Sequence, residues 1–306
     1  MEILIYGFGR MGITHYSILN GILPNAKFTF IEPNKMLNFI SKKNIVGNFL
    51  TSDEKIKKPF DLTLITTPPF IHSELANSCI KRGDKIIFIE KPFGGHSNSS
   101  FNLGVKNIFI GYVLRFNPIV DWVKNNINPK DILECNAKYL SNTIENKPKG
   151  WRNGPYSGVL NEMGSHVLDM INYLFEIEDF NIEKSELNSI ISDVDDEVKI
   201  SLSSKERKFN FYFNWVDKTL RKPVFQVSIK LKNNDLIVFD QQKVVINSKS
   251  GEKTISVIDL DQEIPFYLRG VDFTKQMQDL TNERKVMCSL EEAVTVNRIM
   301  KEIIER

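Results

Sequence analysis

The feature that most constrains the fold of this chain is a glycine-rich turn near its beginning. The turn has the spacing G-x-G-x-x-G and consists of Gly7, Phe8, Gly9, Arg10, Met11 and Gly12. It separates a short apolar run, residues 3–6, from a segment whose apolar residues recur at helical spacing. In a strand–turn–helix of this kind the first glycine permits the tight turn, the second lets backbone approach a pyrophosphate, and the third lets helix and strand pack closely. The turn therefore predicts a dinucleotide site, with a glycine-rich turn of some other α/β protein as the alternative.

An acid after the second predicted strand, residues 28–31, indicates which dinucleotide is bound. Glu32 follows Gly12 by 20 residues. A carboxylate at this place accepts hydrogen bonds from the adenosine ribose hydroxyls and repels a 2′-phosphate. We therefore predict NAD as the cofactor. NADP remains the alternative, because Lys35 lies three residues after Glu32 and can soften the repulsion of a phosphate.

Strand-like and helix-like segments alternate through the first third of the chain. The predicted strands are residues 3–6, 28–31, 45–50, 62–65 and 85–89, and a helix at 73–81 ends at Gly83. Such alternation predicts a parallel sheet with right-handed crossovers. The fold class is α/β, with an N-terminal Rossmann domain, a doubly wound parallel sheet, over residues 1–116.

The pattern changes in the remainder, residues 117–306. Strands are predicted at 132–140, 197–202, 209–215, 224–232 and 236–239, and helices at 157–175, 266–281 and 290–304. This order predicts a C-terminal α+β domain built on a mostly antiparallel open sheet.

Charge and cysteine content exclude several other classes. The net charge of +2 on 306 residues argues against nucleic-acid and membrane partners. The three cysteines, Cys79, Cys135 and Cys288, have no paired spacing, which favours a reducing compartment and no metal site. Since the chain begins directly with a strand and shows no signal peptide, we expect it to be cytoplasmic.

Two loops that follow predicted strands carry family motifs. Thr66 precedes Thr67-Pro68-Pro69-Phe70-Ile71-His72, and Glu90-Lys91-Pro92 follows the fifth strand. These stretches resemble the T-P-P-x-x-H loop and the E-K-P motif of the glucose–fructose oxidoreductase/inositol dehydrogenase (Gfo/Idh/MocA) family. The resemblance implies cofactor contacts from Thr66, Thr67, Pro68, His72, Glu90 and Lys91, with the lysine directed at a substrate hydroxyl.

A third resemblance lies in the helix predicted at 157–175. Residues 158–169 are similar to the family's G-G-x-L-x-D-x-G-x-H-x-x-D helix. Glu162 occupies the position of the first aspartate in that pattern, and His166 occupies the position of its histidine. Glu162 and His166 are one turn apart, so their side chains can meet. Glu162 is one methylene longer than the aspartate of the family.

The resemblance implies a dehydrogenase mechanism with three catalytic residues. His166 accepts the proton of a substrate hydroxyl, Glu162 orients the imidazole, and Lys91 holds the reacting oxygen. In relatives the lysine is sometimes the proton-transfer group instead, and the sequence leaves that choice open. The arrangement requires the reactive cofactor ring to lie between the Lys91 amine and the His166 imidazole.

The substrate implied by the resemblance is a sugar, a sugar derivative such as a nucleotide sugar, or a cyclitol. Residues expected to contact it, besides Lys91 and His166, are Tyr112, Arg115, Arg152 and Tyr267. The resemblance also assigns substrate binding and oligomerisation to the C-terminal domain, so a homodimer or homotetramer is expected. The segment 93–107 is short for a region that is helical in relatives. Two rival functions remain: a non-catalytic regulator that binds cofactor and sugar, and a glycosidase that uses NAD transiently.

Overall fold

A computed structural model of the chain describes residues 1–93, 107–177, 179–260 and 270–306. The chain forms two compact units, Met1–Tyr112 with Pro265–Val294, and Val113–Ile264 with Thr295–Arg306. The two units are described in turn below.

The regular elements are numbered in chain order. The strands are β1 (Glu2–Tyr6), β2 (Lys27–Ile31), β3 (Asn48–Leu50), β4 (Leu62–Ile65), β5 (Ile87–Ile89), β6 (Ile108–Ile110), β7 (Ile132–Leu140), β8 (Phe180–Asn188), β9 (Glu197–Ser204), β10 (Arg207–Asn214), β11 (Val224–Leu231), β12 (Leu236–Phe239), β13 (Lys243–Ser248), β14 (Gly251–Ser256) and β15 (Cys288–Ser289). The helices are α1 (Arg10–Ile22), α2 (Lys35–Asn44), α3 (His72–Arg82), α4 (Pro118–Asn126), α5 (Ser165–Phe175), α6 (Val257–Leu260), α7 (Val271–Thr281) and α8 (Leu290–Ile304).

The first unit is built on a sheet with the strand order of a Rossmann domain. Its order is β15-β6-β5-β4-β1-β2-β3, and all neighbours pair in parallel except β15, which is antiparallel to β6. The central strands read as continuous apolar runs because both faces are covered; every residue of β4 is buried. The predicted parallel doubly wound sheet is confirmed, and it brings the carboxyl ends of β1, β4 and β5 to one edge.

The second unit is built on a larger and mostly antiparallel sheet. Its order is β14-β13-β12-β11-β7-β10-β9-β8, in which β7 and β10 form the parallel pair. Burial alternates along β9 and β10, as expected where one sheet face is covered by α5 and the other is more open. This confirms the predicted α+β architecture.

The region between β2 and β4 differs from the sequence expectation. Residues 35–44 form α2, which shortens the predicted third strand to Asn48–Leu50. Sequence periodicity missed α2 because the helix is exposed and buries only Ser41 within its length. Asn34 caps it by accepting hydrogen bonds from Met36 N and Leu37 N.

The C-terminal part of the chain also contributes to the first unit. The sequence places the domain boundary near residue 116, whereas the compact units change over between Tyr112 and Val113. The segment with α7 and β15 belongs to the first unit because β15 pairs with β6 and α7 packs against α1. Among the described residues, helices both long and apolar enough to span a bilayer are absent.

Candidate active site

The glycine-rich turn connects β1 to α1 with the geometry that each glycine position requires. Gly7 has a φ of +81°, a region that L-residues with side chains rarely adopt. A Cβ on Gly12 would lie 2.1 Å from Gly7 O, so helix and strand approach each other too closely for any side chain. A Cβ on Gly9 would meet nothing within 4 Å, which leaves open space above the turn at the point where a pyrophosphate would approach.

The first turn of α1 presents donors suited to an anion. Gly9 is the N-cap residue and provides no side-chain hydrogen bond, and the first turn contains no acid. Uncapped N–H groups and the helix dipole favour phosphate at this end. Arg10 is exposed beside them, and Met11 is half-buried. Phe8 is fully buried among Phe30 and other aromatic rings, so only its backbone can face a cofactor.

Glu32 joins the end of β2 to the glycine-rich turn. Its Oε2 accepts a hydrogen bond from Phe8 N at 2.8 Å, and its Oε1 accepts one from Asn34 N at 2.8 Å. A carboxylate has about four acceptor positions, so these two bonds leave capacity for ribose hydroxyls. The residue thus supports the turn, in addition to the ribose contact predicted for it.

The loop after β4 lies directly against the same turn. Thr66 Oγ1 lies 2.6 Å from Gly7 O and 2.8 Å from Tyr6 O. The next hydroxyl, Thr67 Oγ1, is buried and makes no hydrogen bond within the described part of the chain. A buried hydroxyl with spare hydrogen-bonding capacity, on a side chain that packs beside Gly7, fits a nicotinamide dinucleotide bound at this edge of the sheet.

His72, predicted to contact the cofactor, is fully buried beneath this loop. Its Nε2 lies 2.8 Å from Thr67 O and its Nδ1 lies 3.3 Å from Pro92 O. Burial lowers the pKa of the imidazole below its ordinary value, although the Thr67 carbonyl and the charge of Glu90 oppose the shift. The side chain links the loop after β4 to the loop after β5, so any effect on a cofactor is transmitted through these loops.

Glu90 and Lys91 follow β5 at the same sheet edge. Glu90 is nearly buried, and its Oε1 lies 2.5 Å from Nε2 of His15, a fully buried residue of α1. Lys91 is half-buried. Sequence analysis did not single out His15, because a histidine on the inner side of a helix gives no signal of a partner 75 residues away.

In the second unit, the helix that carries Glu162 and His166 begins with a π-helical turn. Residues Leu160–Gly164 form this turn and continue directly into α5. Short π-helical insertions occur frequently at functional sites, since they displace side chains from regular spacing. Glu162 and His166 are both half-buried, whereas the apolar stripe of the same helix, Leu160, Met163, Val167, Ile171 and Leu174, is buried.

Asp195 anchors the start of this helix. Its Oδ2 accepts a hydrogen bond from Leu160 N at 2.7 Å, and its backbone carbonyl accepts one from Val159 N at 2.7 Å. Gly158 has a φ of +105°, and a Cβ there would lie 2.2 Å from Asp195 Oδ1. Burial, assisted by the charge of Asp196, raises the pKa of Asp195 to about 7, against the opposing effect of the Leu160 hydrogen bond.

Arg115 and Tyr112, both predicted to bind substrate, lie inside their units. Arg115 is buried and forms a two-pronged ion pair with the buried Asp169 of α5, Nε to Oδ2 at 2.9 Å and Nη2 to Oδ1 at 2.7 Å. Its guanidinium also stacks over the Tyr173 ring. Tyr112 is fully buried at the end of the first unit. These placements give Arg115 a structural task that the sequence did not indicate.

Arg152 is exposed on a short 3-10 helix, Gly150–Asn153, with its guanidinium over the ring of Trp151. Asp193 ties this segment to the unit by accepting hydrogen bonds from Lys147 Nζ and Asn153 Nδ2, both at 2.6 Å. Tyr267 and most of the short segment 93–107 lie outside the described residues. Within the described ranges, groups of three or more His, Cys, Asp or Glu that could hold a metal are absent.

Solved structures with the same fold include sugar and nucleotide-sugar dehydrogenases. A levoglucosan dehydrogenase in complex with NADH is 20% identical, with a TM-score of 0.83 over 100% of this chain and 96% of that one. The UDP-N-acetylglucosamine 3-dehydrogenase of Acidithiobacillus ferrooxidans is 16% identical, with a TM-score of 0.75 over 100% and 96%. A dehydrogenase from Clostridium difficile is 16% identical, with a TM-score of 0.74 over 100% and 99%. Neither a protein-family model nor a curated protein sequence matches the chain.

These dehydrogenases are members of the Gfo/Idh/MocA family, and the chain shares their fold. The likeness takes in both units, the one with the mostly parallel sheet and the one with the mostly antiparallel sheet.

Proposed function

We propose that this protein is an NAD-dependent oxidoreductase that transfers a hydride between nicotinamide and a hydroxyl or keto carbon of a sugar or sugar derivative. The observation that carries the proposal is the edge where β1, β4 and β5 end. Open space over Gly9, the uncapped start of α1, and the buried Thr67 hydroxyl lie there. Lys91 of the E-K-P motif follows β5, whose carboxyl end lies at the same edge.

The cofactor would be held by residues that follow three neighbouring strands of the sheet, β4, β1 and β2. The N–H groups at the start of α1 would bind the pyrophosphate, Glu32 the ribose, and the loop at Thr66, Thr67 and Pro68 the nicotinamide half. Similar structures support this choice, since a levoglucosan dehydrogenase has been solved with NADH and with levoglucosan or L-sorbose. Bound nicotinamide supplies the hydride acceptor.

The residues of the chain supply the proton chemistry and the charge. Lys91 would donate a hydrogen bond to the substrate oxygen and stabilise the negative charge that develops on it as the proton leaves. His166 would accept that proton, since an imidazole changes charge near neutral pH. Glu162, on the same helix, would orient the imidazole and stabilise the imidazolium. The exposed Arg152 would favour a substrate with an anionic group, such as a sugar acid or a nucleotide sugar.

A spectrophotometric screen tests this function directly. The protein is incubated with NAD and a panel of free sugars, cyclitols, sugar acids and nucleotide sugars, and NADH is followed by its absorbance. We expect NADH to accumulate with at least one member of the panel. Release of sugar from a glycoside without NADH accumulation would indicate the glycosidase alternative, and NADH binding without turnover on any member would indicate the regulator.

A further inference from the structure

The residues on either side of Lys91 are each held by a fully buried imidazole. Glu90 precedes the lysine, and its carboxylate is bound by His15 at 2.5 Å. Pro92 follows it, and its carbonyl faces Nδ1 of His72 at 3.3 Å. Both histidines are completely excluded from solvent.

We infer that His15 and His72 are positioning residues that fix the backbone on both sides of Lys91 and connect it to the cofactor turn. The inference rests on the proposed function for the role of Lys91, while the connection itself is structural. It concerns residues that touch neither the reacting atoms nor the pyrophosphate, so it adds to the catalytic set of Lys91, Glu162 and His166.

His15 connects Lys91 to the glycine-rich turn. It lies on α1, whose first turn is the proposed pyrophosphate site. Its ring packs edge-on against Phe88 of β5 at 5.1 Å and beside Phe273 of α7 at 6.2 Å. Gly111 makes room for the pair, because a Cβ there would lie 2.8 Å from the Phe88 ring and 3.4 Å from the Glu90 carboxylate.

His72 connects Lys91 to the loop after β4. A neutral ring has a single N–H, which can donate to Thr67 O at 2.8 Å or to Pro92 O at 3.3 Å but not to both at once. Burial lowers the pKa of His72, which favours that neutral form. The same ring lies between the loop that carries the Thr67 hydroxyl and the loop that carries Lys91, and it contacts a carbonyl of each loop.

Packing alone does not account for this arrangement. Burying a carboxylate and two imidazoles costs free energy that a phenylalanine or leucine in the same space would avoid. A lysine has a long flexible side chain, and catalytic groups are effective only when their support holds them within a fraction of an ångström. The hydrogen bond between Glu90 and His15 of α1, together with the contact of Pro92 O with His72, provides such support on both sides of Lys91.

The test compares His15→Phe, which keeps ring volume and loses the N–H, with His15→Gln, which keeps an N–H at a similar reach. Glu90→Gln removes the charge with little change of shape, and His72→Gln repeats the comparison on the other side. Asn20→Ala, on the exposed side of α1, is the matched control.

The measurements are kcat, the KM for sugar, the NADH dissociation constant, the unfolding free energy, and the labelling rate of Lys91 by an amine reagent. Lys85, an exposed lysine paired with Asp61, is the internal labelling standard.

We expect His15→Phe to lower kcat roughly 10-fold or more, with smaller changes in KM and NADH affinity, because misplacing a catalytic group by about 1 Å can cost up to ~100-fold in rate. In His15→Phe, the labelling rate of Lys91 should change several-fold relative to that of Lys85. The kcat and the Lys91 labelling rate of His15→Gln should be closer to those of the wild type. His15→Phe combined with Glu90→Gln should cost no more than either change alone, because the two residues act as one unit.

Two outcomes overturn the inference. One is wild-type kcat and Lys91 labelling in His15→Phe and Glu90→Gln. The other is a loss of unfolding free energy in all variants with unchanged Lys91 labelling, which is the result of a purely structural pair. If wild-type protein oxidises no sugar, the labelling of Lys91 still decides the inference, and only the proposed function fails.

Discussion

Asp195 accepts a hydrogen bond from Leu160 N at 2.7 Å, at the first turn of the helix that carries Glu162 and His166. Because Gly158 approaches the same carboxylate without a side chain, the half-buried Asp195 packs directly against the start of the helix. One acid therefore fixes the position of two of the three proposed catalytic residues.

The raised pKa of Asp195 predicts a pH-dependent stability. Its folded-state pKa is about 7 against an ordinary value of 3.8. The folded protein thus binds the proton of Asp195 more tightly than the unfolded chain does. The resulting contribution to the unfolding free energy is fully present below about pH 4 and is lost as the pH rises through about 7. Asp195→Asn should therefore gain unfolding free energy relative to wild type as the pH rises from about 4 to about 7, measured by urea titration.

A neighbouring acid provides the control for this measurement. Asp193 is exposed, and its hydrogen bonds from Lys147 and Asn153 lower its pKa. The contribution of Asp193 to the unfolding free energy is complete at pH values above its ordinary pKa of 3.8. Asp193→Asn should therefore change the unfolding free energy by a constant amount across the same pH range. A constant difference for Asp195→Asn as well would contradict the assignment.

Two glycines of the cofactor turn should respond differently to alanine. A Cβ on Gly12 meets Gly7 O at 2.1 Å, so Gly12→Ala should lower the unfolding free energy by about 1–3 kcal/mol and weaken NADH binding. A Cβ on Gly9 meets nothing, so Gly9→Ala should keep its stability and still lose NADH affinity. Tight NADH binding by Gly9→Ala would place the pyrophosphate elsewhere. Calorimetry and thermal unfolding give both quantities.

Glu32 should determine the choice between dinucleotides. Wild-type protein is expected to bind NADH more tightly than NADPH, because the carboxylate repels a 2′-phosphate. Glu32→Gln should lower the ratio of the NADPH dissociation constant to the NADH dissociation constant by about 10-fold, equivalent to ~1.4 kcal/mol. Lys35→Ala should raise the same ratio. Since Glu32 also accepts bonds from Phe8 N and Asn34 N, some loss of NADH affinity is expected in Glu32→Gln. Tighter NADPH binding by wild type would refute the choice.

Arg115 should matter for stability, whereas Arg152 should matter for substrate. Removing one partner of a buried ion pair leaves the other charge buried, so Arg115→Ala should lower the unfolding free energy by about 3–5 kcal/mol. Arg152→Ala removes an exposed guanidinium and should leave stability unchanged, while raising KM for an anionic sugar. Unaltered stability of Arg115→Ala would show that its pairing with Asp169 is not important to the fold.

The fold and the cofactor turn could be predicted because their signals are local. The spacing of Gly7, Gly9 and Gly12 and the apolar periods of the strands are determined within a few residues of chain. The pairings of His15 with Glu90 and of Arg115 with Asp169 join residues 75 and 54 positions apart. No local pattern encodes such partners, which is why His15 was missed and why Arg115 was interpreted as a substrate ligand.

The central claim is that Lys91 and His166 carry out the proton chemistry of an NAD-dependent oxidation. The most direct measurement is NADH formation by Lys91→Ala and His166→Ala with the best sugar from the screen, alongside their NADH dissociation constants. We predict that each substitution lowers kcat by about 100-fold or more, within the range for acid–base groups, while NADH binding barely changes. Wild-type turnover in both variants would contradict the mechanism.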